Sequence, residues 1–142
     1  MGRVTVLRAL LAIPLLLSVT IRARVVAAPQ ADDDGWQIPA DAGREVNPIA
    51  ASDKVIAKGK GIFKSKCQHC HGVSGKGDGP DADPKHKPGD LTDSKRASRN
   101  PDGVMFYKLW NGRKNPKMPS FKTEMSKEDV WTVIQYAKTL RQ

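Results

Sequence analysis

The chain is short of cysteine, of aromatics and of long apolar runs. It has two cysteines in 142 residues, Cys67 and Cys70. That excludes a framework of several disulfides, and it excludes any four-cysteine zinc or iron–sulfur site within one chain. Aromatic residues make up 6%. No internal repeat, no long low-complexity tract and no convincing period-2 alternation of a β-strand is found. Length excludes a large multidomain enzyme. Acids are outnumbered, 15 Asp and Glu against 24 Lys and Arg, for a net charge of +9. Hydrophobic content of 39% is ordinary for a soluble chain and too high for full disorder.

The one sustained apolar stretch runs from Leu10 to Ile21, interrupted only by Ser18 and Thr20. It is too short for the roughly 20 residues a spanning helix needs. Arg3 and Arg8 precede it and small residues, Val25 to Ala28, follow it. Residues 1–28 are therefore expected to be a secretory signal peptide, cut after Ala27 or Ala28. A retained N-terminal anchor is the alternative, favoured by Arg22 and Arg24. Either way the rest of the chain is expected outside the cytoplasm.

Residues 29–52 carry five acids and one Arg, with Pro29, Pro39, Pro48 and Gly35. They read as an extended acidic arm whose Trp36 and Ile38 pack back onto the domain. Residues 53–142 form the domain itself, and the positive excess lies in its middle. Three helices are expected. Ser52 caps one over 53–66, with Val55, Gly59, Ile62, Phe63 and Lys66 on one face. Asn100-Pro101 opens the second, running to about Trp110 and stopped by Asn111-Gly112. Ser126 to Asp129 resembles a capping box for the third, striped by Val130, Val133, Ile134, Ala137 and Leu140. Residues 72–99 read as a long loop. The class is all-α.

So small a domain with so much irregular chain needs a staple or a cofactor. Cys67-Gln68-His69-Cys70-His71 supplies one, the C-x-x-C-H pattern of c-type haem attachment. Two thiols one helical turn apart reach the two vinyl groups of a porphyrin, and the next residue offers its imidazole to the iron. A thioredoxin-like pair would need a βαβ context, which is not apparent. A zinc site would have to use His69 and His71 from one tight turn. A disulfide between Cys67 and Cys70 would close a small strained ring.

Around this motif, residues 53–141 resemble the class I cytochromes c, single-haem electron carriers, and most closely the short bacterial periplasmic type. The matching pieces are the C-x-x-C-H itself, Gly59 and Phe63, Gly72 to Pro80 (GVSGKGDGP), Lys87 to Asp93 (KPGDLTD), Met118-Pro119 and Tyr136. The resemblance implies a small fold of three to five helices wrapped around one covalent haem c. It implies packing of the first helix on the last through Gly59, Phe63 and Tyr136. It also implies that the Pro80 carbonyl orients His71.

Four methionines are candidates for the second axial ligand. Met1 leaves with the signal, Met105 falls inside the second helix and Met125 just before the third. Met118 sits in Asn115-Pro116-Lys117-Met118-Pro119, a loop stiffened by two prolines, and the family resemblance points to it too. His86, His69 or an open site are the other possibilities. His71 with Met118 would favour ferrous iron and leave no site for oxygen or peroxide, the signature of a carrier and not of an enzyme. Lys64, Lys66, Lys76, Lys114 and Lys117 are expected to steer an acidic redox partner to a monomer, and Arg113 to pair with a haem propionate. Nucleic acid is not an expected partner. The alternatives are a haem subunit or docking module of a larger periplasmic dehydrogenase or reductase, in which the 29–52 arm clamps the partner, and a gas-binding haem protein.

Overall fold

The computed structural model describes residues 1–2, 30–31 and 35–142. The expected signal segment, apart from its first two residues, lies outside them. Among the described residues no helix is long and apolar enough to cross a membrane. Five helices carry the fold: α1 Asp53–Lys66, α2 Gln68–His71, α3 Ser94–Ser98, α4 Asp102–Asn111 and α5 Lys127–Lys138. The strands among these residues, β1 Gln30–Ala31 and β2 Gln37–Ile38, form one short antiparallel ribbon.

Local chemistry sets the helix ends. The Ser52 hydroxyl accepts from the Val55 amide and starts α1. Pro101 stands at the N-cap of α4, and Gly112, at a positive φ of 61°, ends it. The Ser126 hydroxyl accepts from the Asp129 amide at 3.0 Å and donates to the Asp129 carboxylate at 2.8 Å, opening α5.

The core is the crossing of α1 and α5. Gly59 faces α5 so closely that a Cβ there would lie 2.6 Å from the Thr132 carbonyl oxygen and 2.8 Å from the Tyr136 Cβ. Only glycine lets the helices meet this way. One turn on, Phe63 meets Tyr136 with ring centroids 5.3 Å apart. On the other side of α5, Phe106 of α4 stacks on Trp131 at 4.2 Å.

Two expectations are corrected. Residues 72–99 are not one continuous loop: Asp93 accepts from the Lys95 and Arg96 amides and nucleates α3 within it. Lys66 shares its face of α1 with Phe63, where it is exposed and pairs with Glu124 at 2.8 Å. The described part of the 29–52 arm is not simply extended. It contains β2 and a 3₁₀ turn, Ala42–Arg44, and it covers α4 and α5. The Asn47 side chain donates to the Trp131 carbonyl at 2.9 Å, and the Gln135 side chain donates to the Ile49 carbonyl. Val130 to Ala137 are consequently buried on every face of α5, not along a stripe.

Candidate functional site

A cavity of about 320 Å³ opens between α1, α4, α5 and the loops that follow α2 and α4. Cys67 and Cys70 line it, from the end of α1 and from α2, together with His71, the last residue of α2. Met118 lines it from the loop after α4. Phe63, Leu91, Met105, Leu109, Phe121, Val133, Ile134 and Ala137 make its apolar surface, and Arg96, Lys108 and Arg113 bring positive charge to it.

His71 is fixed in one useful tautomer. Its Nδ1 lies 3.2 Å from the Gly89 carbonyl oxygen. A carbonyl only accepts, so Nδ1 carries the hydrogen and Nε2 keeps its lone pair for a metal. Burial pushes the imidazole's pKa below its ordinary value, against the Gly89 bond, which raises it, and with the Arg96 charge, which lowers it further. Burial thus favours the neutral form of the ring, the form a metal ligand needs.

The acceptor is Gly89, not Pro80. Pro80 is exposed and belongs to a small separate cleft with Gln68, His69 and Asp78. The turn that carries Pro80 curls back on α2 itself, where Gly79 donates to the Cys70 carbonyl at 3.1 Å and Asp81 to the His69 carbonyl at 2.8 Å. The loop that reaches His71 is the later one, through Lys87-Pro88-Gly89. At Gly77, with φ of 75°, any Cβ would run into the Pro88 carbonyl, so glycine permits the two loops to meet.

Burial pushes the Cys67 thiol up to about 12, with the neighbouring Cys70 adding to the rise. A thiol so buried is kept in its protonated form in the absence of a partner group. Both cysteines are free, and among the described residues no group of three or more His, Cys, Asp or Glu could hold a metal ion. The zinc reading is left without a ligand group, and the thioredoxin reading without a βαβ unit among the described residues.

The three methionines near the domain differ. Met125 is buried in the core and does not line the cavity. Met105 lines it, but the Arg141 guanidinium lies 3.3 Å from its sulfur. Met118 lines it from a loop closed by an isolated antiparallel bridge, in which Arg113 and Met118 exchange backbone bonds of 2.8 and 2.9 Å. The Asn115–Pro116 peptide in that loop is cis.

Among the cavity residues that sequence reading missed are Trp36, Arg96, Asn100 and Lys108. Lys108 had a signal. It stands four residues after Val104, on the buried face of α4, where a lysine needs a polar destination. It is 7% exposed, and its ammonium donates to the Asn100 side chain at 2.6 Å.

The family model of cytochrome c matches residues 56–141. The chain belongs to the cytochrome c family. It is similar to a chain of the reducing HAO-like protein complex Kustc0457/Kustc0458 of Kuenenia stuttgartiensis, with 33% identity and a TM-score of 0.58 over 67% of this cytochrome and 47% of that chain. This cytochrome thus spans about half the length of that relative. The KustC0563 c-type cytochrome, 20% identical over 59% of this chain and 98% of its own, shares the fold with a TM-score of 0.52. No curated protein matches the chain. Membership implies haem c, and the donor set fits it: two thiols one turn apart, an imidazole with Nε2 available, an apolar cavity and cations for the propionates.

Proposed function

We propose that this cytochrome is an exported, periplasmic carrier of single electrons, holding one haem c through Cys67 and Cys70 with His71 and Met118 as axial ligands, and that it is not itself an enzyme. The observation that carries the reading is the meeting of Cys67, Cys70, His71 and Met118 at one apolar cavity, with the sulfur of Met105 already engaged by Arg141. The haem, when bound, supplies a one-electron couple whose potential a thioether ligand raises. The chain's own residues do the rest. Gly89 orients His71, the Arg113–Met118 bridge holds the sixth ligand, and Phe63, Leu109 and Ile134 exclude water. Arg96, Lys108 and Arg113 offer charge to the two propionates. The exposed Lys64, Lys66, Lys76, Lys114 and Lys117 form the surface that meets acidic redox partners.

The likeness to part of a multi-chain redox complex supports a second reading, in which the cytochrome is a haem subunit or docking module of a larger assembly. Co-purification of a partner with the full chain would distinguish it. The carrier reading is tested by the optical spectra of the haem-loaded protein and its Met118→Ala variant. Wild type should be low-spin in both states, show a far-red sulfur-to-iron band when ferric and ignore carbon monoxide; the variant should lose the band and bind carbon monoxide. A wild type that binds carbon monoxide would overturn it.

A further inference from the structure

Trp36 lies upstream of the matched cytochrome c segment, yet it lines the same cavity as His71 and Met118. It is 6% exposed. The Arg113 guanidinium sits 4.4 Å from the centre of its ring, and the Lys108 ammonium 5.3 Å. Both cations are packed over one indole, where partial desolvation strengthens each contact. Arg113 is the residue whose backbone brackets Met118 in both directions. Met118 itself packs against the cluster of Trp36, Ile38 and Val104.

The indole is fixed in turn. Just after it, β2 pairs with β1. Further along, the 3₁₀ turn packs on α4, where Gly103 allows the Ala42 carbonyl to approach, and Asn47 and Ile49 are bonded to α5. A tryptophan held this firmly, clasping the one arginine that closes the methionine loop, does more than fill space.

We propose that Trp36 is a positioning residue for Met118. It clamps Arg113, Arg113 keeps the 113–118 loop closed, and the arm upstream of the family segment thereby sets how firmly the sixth ligand is retained. This rests on Met118 being that ligand.

Imidazole binding to the ferric, haem-loaded full chain reads the loop directly, because imidazole enters only when the methionine leaves. Trp36→Ala should bind imidazole about tenfold more tightly than wild type, the scale of a partly desolvated cation–π contact. Trp36→Phe, which keeps a ring face under Arg113, should stay within about threefold on the same scale. Val130→Ala, in the fully buried part of α5, measures what a loss of global stability does alone and should leave imidazole affinity unchanged. If Trp36→Ala tightens imidazole no more than Val130→Ala does, the proposal fails, even where its melting temperature drops. The far-red sulfur band separates the two ideas. If the band survives in Met118→Ala, the ligand reading is wrong and the proposal goes with it. If the band is lost in Met118→Ala while Trp36→Ala binds imidazole as wild type does, only the role of Trp36 is refuted.

Discussion

Lys108 is a buried ammonium, and Asn100 gives it a hydrogen-bond acceptor. The Asn100 amide nitrogen donates to the Arg96 carbonyl at 2.7 Å, which aims its oxygen at the Lys108 ammonium 2.6 Å away. Hydrogen bonds to a charged group are worth about 1.5–3 kcal/mol, and truncating one partner leaves a desolvated charge behind. Asn100→Leu should therefore cost about 1.5–3 kcal/mol in urea denaturation of the haem-loaded protein. A variant as stable as wild type would show that Lys108 relies on its other neighbours. The burial of Lys108 had a signal in the sequence but its partner had none, because Asn100 reads only as the residue before a helix-opening proline. Cys67, Cys70 and His71 were legible because their chemistry is local: one turn of chain sets the spacing of two thiols and an imidazole. The acceptor for His71 was not. It comes from a carbonyl eighteen residues on, and backbone carbonyls leave no trace in side-chain pattern. The resemblance named Pro80 where the chain uses Gly89.

At the scale of elements, caps and helix faces were readable and lengths of burial were not. Ser52 and Ser126 cap where a short polar side chain meets an apolar period, so the ends of α1 and α5 follow from a few neighbours. The full burial of α5 depends on the arm folding over it, which no periodicity within residues 127–138 encodes. The start of α5 also carries a pH dependence. Asp129 is held below the ordinary carboxylate value of 3.8, first by the Lys58 ammonium at 2.8 Å and then by the Ser126 hydroxyl. Lys58 is raised above its ordinary 10.5, first by its bond to Asp129. The Asp129 contribution to stability is thus complete above the unfolded carboxylate value and is lost as pH falls through the lowered folded one. The Lys58 contribution is complete below 10.5 and is lost as pH rises through the raised value. The pair is exposed to solvent, so the effect is small. Thermal melts of wild type and Asp129→Asn should converge as pH drops below 3.8 and differ, with wild type higher, at neutral pH. A difference that persists unchanged into acid would assign the effect to the cap geometry instead of the charge.

Charge is distributed unevenly over the whole molecule, and this bears on its partners. The acidic excess belongs to residues 29–52 and the basic excess to residues 53–122, the stretch that supplies the haem motif and the Met118 loop. Lys66 and Lys117 line the cavity and are exposed, while Arg96, Lys108 and Arg113 line it too and, on the proposed function, would partly offset the propionates of a bound haem. On the proposed function, the outward field at the cavity mouth is expected to be positive although the arm is acidic. A positive mouth raises the local concentration of anionic partners and their on-rate by about 10- to 1,000-fold at low salt, and the gain fades as the screening length shrinks to about 10 Å at 0.1 M. Oxidation of the ferrous cytochrome by a small anionic iron complex should slow as salt is raised, and oxidation by a cationic cobalt complex should quicken. Lys117→Glu, one residue from Met118, should flatten the anionic salt dependence with the optical spectrum intact, because the substitution touches the field and not the ligand set. Equal salt slopes for the two oxidants would mean that electrons leave by a face where the charges cancel, and the acidic-partner surface would then have to be sought away from the Met118 edge.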